Sequence, residues 1–156
     1  MPITEQARTS DKHGPFVAYE RVGDKIRQNK ICAKLEKLWN FQAKDNGEKA
    51  VIDYSCFRDG ELIAIMEIKS RFCQVDDYST YMCTTKDIDE GLALSKEFGV
   101  PFLLVVKWDD FFAYVKITRN DYPSRPSGQK NRNDPNDYMA MCYLIPTSEF
   151  VEIKHG

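Results

Sequence analysis

Residues 51–71 read VIDYSCFRDGELIAIMEIKSR. Two apolar runs flank Asp59-Gly60, which is a strong hairpin signal. In the second run, Ile63 and Ile65 share one face with Glu67 and Lys69, and Leu62, Ala64, Met66 and Ile68 share the other. A strand apolar on both faces belongs in the middle of a sheet, so Glu67 and Lys69 interrupt a buried face. Asp53 interrupts the first run in the same way. Buried charges are costly unless they are paired or hold a metal.

Whether Asp53 and Glu67 meet depends on the turn. A two-residue Asp59-Gly60 loop with regular pairing puts Asp53 opposite Met66, on the wrong face. A three-residue loop, Arg58-Asp59-Gly60, puts Gly60 at the left-handed bulge position that favours glycine. Asp53 then faces Ile65 and lies diagonal to Glu67 on one face, roughly 7 Å away. The three-residue register is the expectation. It gives Asp53, Glu67 and the Ile68 carbonyl as hard oxygen ligands on one side of a site, a set that suits Mg²⁺ with Mn²⁺ as substitute. Lys69 can position the attacking water or help deprotonate it, and can balance phosphate charge. The reaction class expected of such a site is metal-assisted phosphodiester hydrolysis. A structural ion-pair triad is the bland alternative, but one ammonium does not neutralise two buried carboxylates.

The chain around this hairpin reads as α/β. A helix is expected over 17–39, with Glu20, Asp24, Gln28, Ile31, Leu35 and Leu38 on one stripe. The apolar C-terminal half of the stripe should face the core; the acidic N-terminal half either borders a site or overhangs into water. Beside it, Arg27, Lys30, Lys34 and Lys37 read first as a solvated face. NFQAKDNGEK reads as a short strand ending in an Asn-Gly turn, and RFCQVDDYST as a loop. TTKDIDEGLALSKEFG reads as a Thr-capped helix with Ile88, Leu92, Ser95 and Phe98 at core spacing and Gly99 at its end. VPFLLVVKW reads as a strand buried on both faces. A strand–helix–strand order implies a parallel pair with a right-handed crossover. FFAYVKIT follows an Asp-Asp turn. Residues 119–137 are polar and rich in Pro, Asn and Arg, either a functional loop or a disordered one. The tail supplies one last strand, which Pro146 ends. Trp39, Trp108, Tyr54, Tyr78 and Tyr81 are read as packing residues.

The tripeptide EIK recurs at Glu152-Ile153-Lys154. One E-x-K is expected by chance in a chain of ordinary usage, to an order of magnitude. The acid upstream of this second copy, Asp137, sits at a loop edge, and Pro146 breaks the stretch between. Glu152 and Lys154 are therefore read as the solvent side of a terminal segment.

Composition sets the frame. The 156 residues are 42% hydrophobic and 29% charged, as in a soluble globular protein of one domain. No apolar run approaches a membrane span, and the polar start, which reads as an arm over 1–15, shows no secretory signal. Five cysteines without a C-x-x-C read as free thiols in a reducing, cytoplasmic setting. His13 and His155 stand at no zinc-ligand spacing. Net charge is −2, from 22 basic and 24 acidic residues, so any nucleic-acid surface must be a local patch. Arg71 with the basic helix stripe (Arg27, Lys30, Lys34) can contact phosphates, and Arg119, Arg125, Lys130 and Arg132 can reach across a DNA groove.

An aspartate in one apolar strand, a turn, and an apolar strand ending in E-x-K resemble the PD-(D/E)XK nuclease superfamily. Here the residues are VIDYS and IMEIKSR. The order of elements over 17–118 is similar to that superfamily's restriction-endonuclease-like core, α-β-β-β-α-β-β, a central mixed sheet flanked by helices, here with a C-terminal strand over 138–156. The resemblance implies a metal-dependent DNA endonuclease with Asp53 and Glu67 as metal ligands and Lys69 as catalytic lysine. It implies a first-helix acid, for which Glu20 and Asp24 both qualify, and a second-helix polar group whose place Lys86 takes. Gln74 and Tyr78 stand four apart as in an exonuclease motif, but too close to Lys69. By the same analogy the chain can act as a homodimer. RNA cleavage, or an inactive binding module of the same fold, are the rival readings.

Overall fold

The computed structural model describes residues 14–47, 49–127 and 140–154, with side chains from residue 23 onward. Helix α1 spans Gly14–Trp39. Leu35 and Cys32 are buried on its inner side, while Leu38 is 38% exposed. The core stripe therefore leaves the expected line at its end and passes through Trp39, which packs edge-on to Tyr114. Asn40 turns the chain with φ 54°, and Arg58 donates to the carbonyls of Trp39 and Asn40 at 2.7 Å each. The helix end thus has partners for two of its orphan carbonyls.

Strands β1 (Gln42–Asp45), β2 (Tyr54–Arg58) and β3 (Glu61–Ser70) form the meander. The expected three-residue turn is wrong. Arg58 pairs Glu61 directly, with both Asp59 (φ 53°) and Gly60 (φ 80°) left-handed, the signature of a two-residue turn of type I′. Parity is restored two residues on: Phe57 pairs Leu62 but Cys56 pairs Ala64, so Ile63 is an extra, unpaired residue. That bulge shifts the register until Tyr54 faces Met66. Continued by one step, it sets Asp53 opposite Glu67 rather than diagonal to it.

The chain then makes a 3-10 turn and strand β4 (Thr80–Thr84) before helix α2 (Thr85–Phe98) and strand β5 (Phe102–Lys107). β4 was not foreseen. The α2 cap was: Thr84 Oγ1 accepts from the Asp87 amide at 3.3 Å, and Gly99 closes the helix at φ 66°. Ile88, Gly91 and Leu92 face the core, while Phe98 is exposed, contrary to expectation. β5 lies parallel to β3 and is followed by antiparallel β6 (Phe112–Ile117).

After β6 the polar stretch is not all loop: Ser124–Ser127 form β7. The tail strand β8 (Ala140–Pro146) does not join the main sheet but pairs with β7 and β4. The two-residue β9 (Val151–Glu152) pairs with β6. The main sheet thus runs β1-β2-β3-β5-β6-β9, with a second sheet β4-β8-β7. Glu152 and Lys154 are exposed, as expected for the second EIK.

Two cores flank the main sheet. One joins Leu35 and Cys32 of α1 to Met66 and Ile68. The other joins Ile88 and Leu92 of α2 to Ile65, Phe102 and Leu104, and carries the second sheet through Tyr81 and Ile145. Burial pushes the thiols of Cys32, Cys56 and Cys83 up to about 12, so they pack as small apolar groups. Gly91 is where α2 touches the sheet most closely. A Cβ there would lie 2.2 Å from the Phe102 ring, itself fully buried. Gly91→Ala is expected to destabilise the fold by about 1–3 kcal/mol, the usual range for overpacking. Urea unfolding checks this, and an unshifted midpoint would show that the ring moves aside freely.

Candidate active site

Strand β3 is paired on both edges, by β2 and β5, and buried on both faces over 64–68. Glu67 is 4% exposed, the single charged residue in the buried class among the described residues. Its Oε1 accepts from the Asp53 amide at 3.0 Å, and Asp53 Oδ2 accepts from the Ile68 amide at 3.1 Å. Each acid thus bonds the backbone of the other's segment, which locks the two carboxylates side by side. Lys69 Nζ stands 3.5 Å from Glu67 Oε2, with its side chain 31% exposed.

The electrostatics follow from burial with a surplus of negative charge. Desolvation, only partly offset by Lys69, pushes Glu67 up to about 7, and Asp53 and Asp87 push the same way. Burial also raises Asp53, against the Ile68 amide and Lys69. For Lys69, burial alone would favour the neutral amine, but Glu67, Tyr81, Asp53 and Asp87 outweigh it and hold the ammonium above the usual lysine range. Asp87, in the first turn of α2, is the acid that the sequence reading missed. Its local signal was only that of an ordinary helix-cap carboxylate.

A family model described as phage putative PDDEXK endonuclease matches residues 16–153. The chain belongs to that family. The nuclease function read from VIDYS and IMEIKSR is that of the family, and the expected mixed sheet is the one the fold shows. No curated protein matches the chain significantly in sequence. Among solved structures, a Holliday junction resolvase, Hjc of the archaeal hyperthermophile Archaeoglobus fulgidus, is similar with a TM-score of 0.48. The two share 14% identity over 76% of this chain and 84% of that one.

The other expected site residues of this PDDEXK endonuclease scatter. Asp24 is exposed and pairs with Arg27. The Glu20 side chain lies outside the described residues. Lys86 is exposed and pairs with Glu90 at 3.1 Å. From α1 it is Gln28 that reaches the site: its Nε2 donates to the Ile68 carbonyl at 3.0 Å. Gln28 stood on the predicted stripe between Asp24 and Ile31, so the stripe held the signal while attention went to the acids. Gln28→Ala leaves the Ile68 carbonyl one donor short, and is expected to cost about 1–2 kcal/mol of stability. A urea midpoint equal to that of the wild type would show that water replaces the amide at no cost.

Arg71, one step past β3, donates to the Met82 carbonyl at 2.9 Å and lies 4.5 Å over the Tyr81 ring. Arg71 also lines a small hollow with Arg27, Lys30 and Lys107. On its other side, a cavity of about 690 Å³ is lined by Lys69, Asp87, Arg125 and the second sheet. Lys34 sits 5.9 Å over the Phe112 ring. Lys130 and Arg132 lie outside the described residues. Tyr54 and Tyr81 are buried as expected, but Tyr78 is 69% exposed and is no packing residue. No helix among the described residues is long and apolar enough to cross a membrane.

Proposed function

We propose that this chain is a Mg²⁺-dependent DNA endonuclease in which Asp53 and Glu67 hold the ion and Lys69 acts beside it. The supporting observation is the mismatch of charge at the acid pair. Glu67 is buried and Asp53 partly so, each accepts from an amide in the other's segment, and Lys69 is the ammonium within ion-pair distance of Glu67. Burial and mutual repulsion oppose ionisation of both, and a divalent cation would reverse that balance. The donors are hard oxygens, and among the described residues no third His, Cys, Asp or Glu completes a closed metal cluster. Mg²⁺ suits such a set, because it keeps several waters and takes one or two carboxylates. The Ile68 carbonyl has a second lone pair beside its bond to Gln28 and remains a candidate ligand. Mn²⁺ fits the same donors. Bound there, the ion would act as Lewis acid on the phosphodiester and ease ionisation of a water.

The chain's own residues do the rest. Asp53 and Glu67 are pre-placed by backbone bonds, so no reorganisation is needed when substrate arrives. Lys69, held cationic, positions the attacking water and balances phosphate charge rather than removing a proton. Arg71, Arg27 and Lys30 neutralise phosphates on one side of Lys69, and Arg125 on the other. Residues 1–156 act as one nuclease domain, free in the cytoplasm with reduced cysteines, and a homodimer supplies the two sites needed to cut both strands of a duplex.

The test is cleavage of plasmid, single-stranded DNA, branched DNA and RNA, with Mg²⁺, with Mn²⁺ and with chelator, beside Lys69→Ala. Cleavage of the DNA substrates that needs the metal and the lysine is the expected result. Binding without cleavage of any substrate, unchanged in the variant, would identify an inactive binding module instead.

A further inference from the structure

The second sheet has two different faces. Tyr81 pairs Ile145 and Cys83 pairs Tyr143, and this face packs into the core beside α2. Thr84, Cys142 and Arg125 are register partners across the three strands and share the opposite face, which Ala140 and Ser127 extend. That face walls the cavity of about 690 Å³, and Lys69 stands in the same lining. Lys69 is 3.5 Å from Glu67, so the cavity borders the acid pair through that side chain, although neither acid lines it.

The lining is of two kinds. Lys69, Arg71 and Arg125 bring three positive charges against the one acid Asp87. Met82 and Ala140 bring half-buried apolar surface, while Tyr81 and Trp108 form the floor of the lining, 3% and 4% exposed. Tyr78 lines the cavity while remaining 69% exposed, so its ring stands at the mouth. Arg71 is fixed by the Met82 carbonyl and the Tyr81 ring, and keeps further N–H donors for an anion.

A bare phosphate backbone calls for cations alone. An exposed aromatic ring at the mouth of an apolar, cationic hollow suits a nucleotide, with the base against Tyr78 and the phosphate on the guanidinium groups. In a continuous duplex the base faces are stacked away, and only an unpaired nucleotide can offer one. The cavity also falls within the range of about 300–1,000 Å³ typical of small-ligand sites, too small to admit a duplex.

We infer that the second sheet builds a subsite for an unpaired nucleotide next to the scissile phosphate, so that the preferred substrate is DNA with a single-stranded stretch. The position of the scissile phosphate rests on the nuclease proposal above; binding by the subsite does not.

The experiment measures binding of labelled oligonucleotides to the full chain in chelator at fixed salt. The probes are a continuous duplex, the same duplex with a single-stranded gap, and the single strand. The gapped and single-stranded probes are expected to bind at least about 10-fold more tightly than the duplex. Tyr78→Ala is expected to weaken those two probes roughly 5- to 100-fold, as for loss of one base–aromatic stack, with a smaller loss on the duplex. Tyr78→Phe, which keeps the ring, should restore the preference. Equal affinity for all three probes, or an equal loss on all three in Tyr78→Ala, overturns the subsite. Chelator removes cleavage from this measurement, so the two ideas fail separately. An intact preference in a protein that cuts nothing with metal supports the subsite and overturns the nuclease proposal.

Discussion

Lys69→Ala is expected to lower phosphodiester cleavage by about 10²–10⁴-fold, while DNA affinity changes only a few-fold. The large effect follows from position: Lys69 projects from the strand end that carries Glu67 and lines the cavity beside the acid pair. The small effect on affinity follows because Arg71, Arg27, Lys30 and Arg125 remain to meet phosphates. The charge state makes the prediction sharper. Glu67, Asp53 and Asp87 hold the Lys69 ammonium above the usual lysine range. That hold belongs to the metal-free chain, and a cation on the two acids would weaken it. Since even an ordinary lysine is protonated across the neutral range, Lys69 is expected to work as a fixed charge and donor. The loss on Lys69→Ala should then be the same at pH 7 and pH 9, read as single-turnover rates. A loss that grows steeply with pH would mean that the free amine is the active form, and the positioning role would be wrong. Removing the ammonium also leaves the buried Glu67 without its ion-pair partner, so melting curves with metal must accompany the rates.

Asp53→Asn should move activity and stability in opposite directions. With Mg²⁺, cleavage is expected to fall at least about 100-fold, since one of two proposed carboxylate ligands becomes a neutral amide. Without metal, the same change should stabilise the fold at pH 8 by about 1–2 kcal/mol, because it removes one of two like charges while an amide oxygen can still accept from the Ile68 N–H.

The pH dependence has a definite sign. Desolvation raises Glu67 from an ordinary value of 4.5 to about 7 in the folded chain. Between those values the native state binds the proton more tightly than the unfolded state, so stability is lost as pH rises through that window. The penalty from this group is on the order of 3 kcal/mol above the folded value. Lys69 acts in the opposite sense, since its contribution is fully present below the ordinary lysine value and fades only in strong alkali. Metal-free wild type should thus be less stable at pH 8 than near pH 5, and Asp53→Asn should flatten that slope by easing ionisation of Glu67. Urea unfolding in chelator at both pH values decides it. A variant no more stable than wild type at pH 8 would show that the acid pair is already relieved by water or by Lys69.

The hairpin shows how local pattern and packing divide the work. The run 62–68, apolar but for Glu67, has both faces buried over 64–68 in the fold, and its pattern alone identified a central strand with costly charges. The turn was misjudged because Gly60 suits several turn types, and because Asp59 accepts a left-handed φ that most side chains resist. Regular pairing from the true turn would have set Asp53 on the wrong face. The bulge at Ile63 corrects it, since Tyr54 and Cys56 must meet Met66 and Ala64 in the core under α1. A bulge chosen by contacts with a helix some 30 residues upstream leaves no mark in the strand's own sequence.

Strand β4 escaped notice for a related reason. Thr80–Thr84 is short, and its partner β8 lies about 60 residues downstream, so no turn signal joins them. Gln28 and Asp87 were visible as a stripe residue and a cap residue, but only the packing of α1 and α2 against β3 brings Gln28 to the Ile68 carbonyl and Asp87 within electrostatic reach of Glu67.

By itself the sequence determined the central strand, its parallel partner across α2, the caps of that helix, and the trio Asp53, Glu67 and Lys69, because burial pattern and charge are local properties of the chain. Tertiary structure alone decided that the two acids are tied through amides of each other's segments, that Gln28 of α1 reaches the Ile68 carbonyl beside them, and that a second sheet walls the space beside Lys69. Those outcomes depend on which distant surfaces must be covered together, and no single stretch of sequence carries that information.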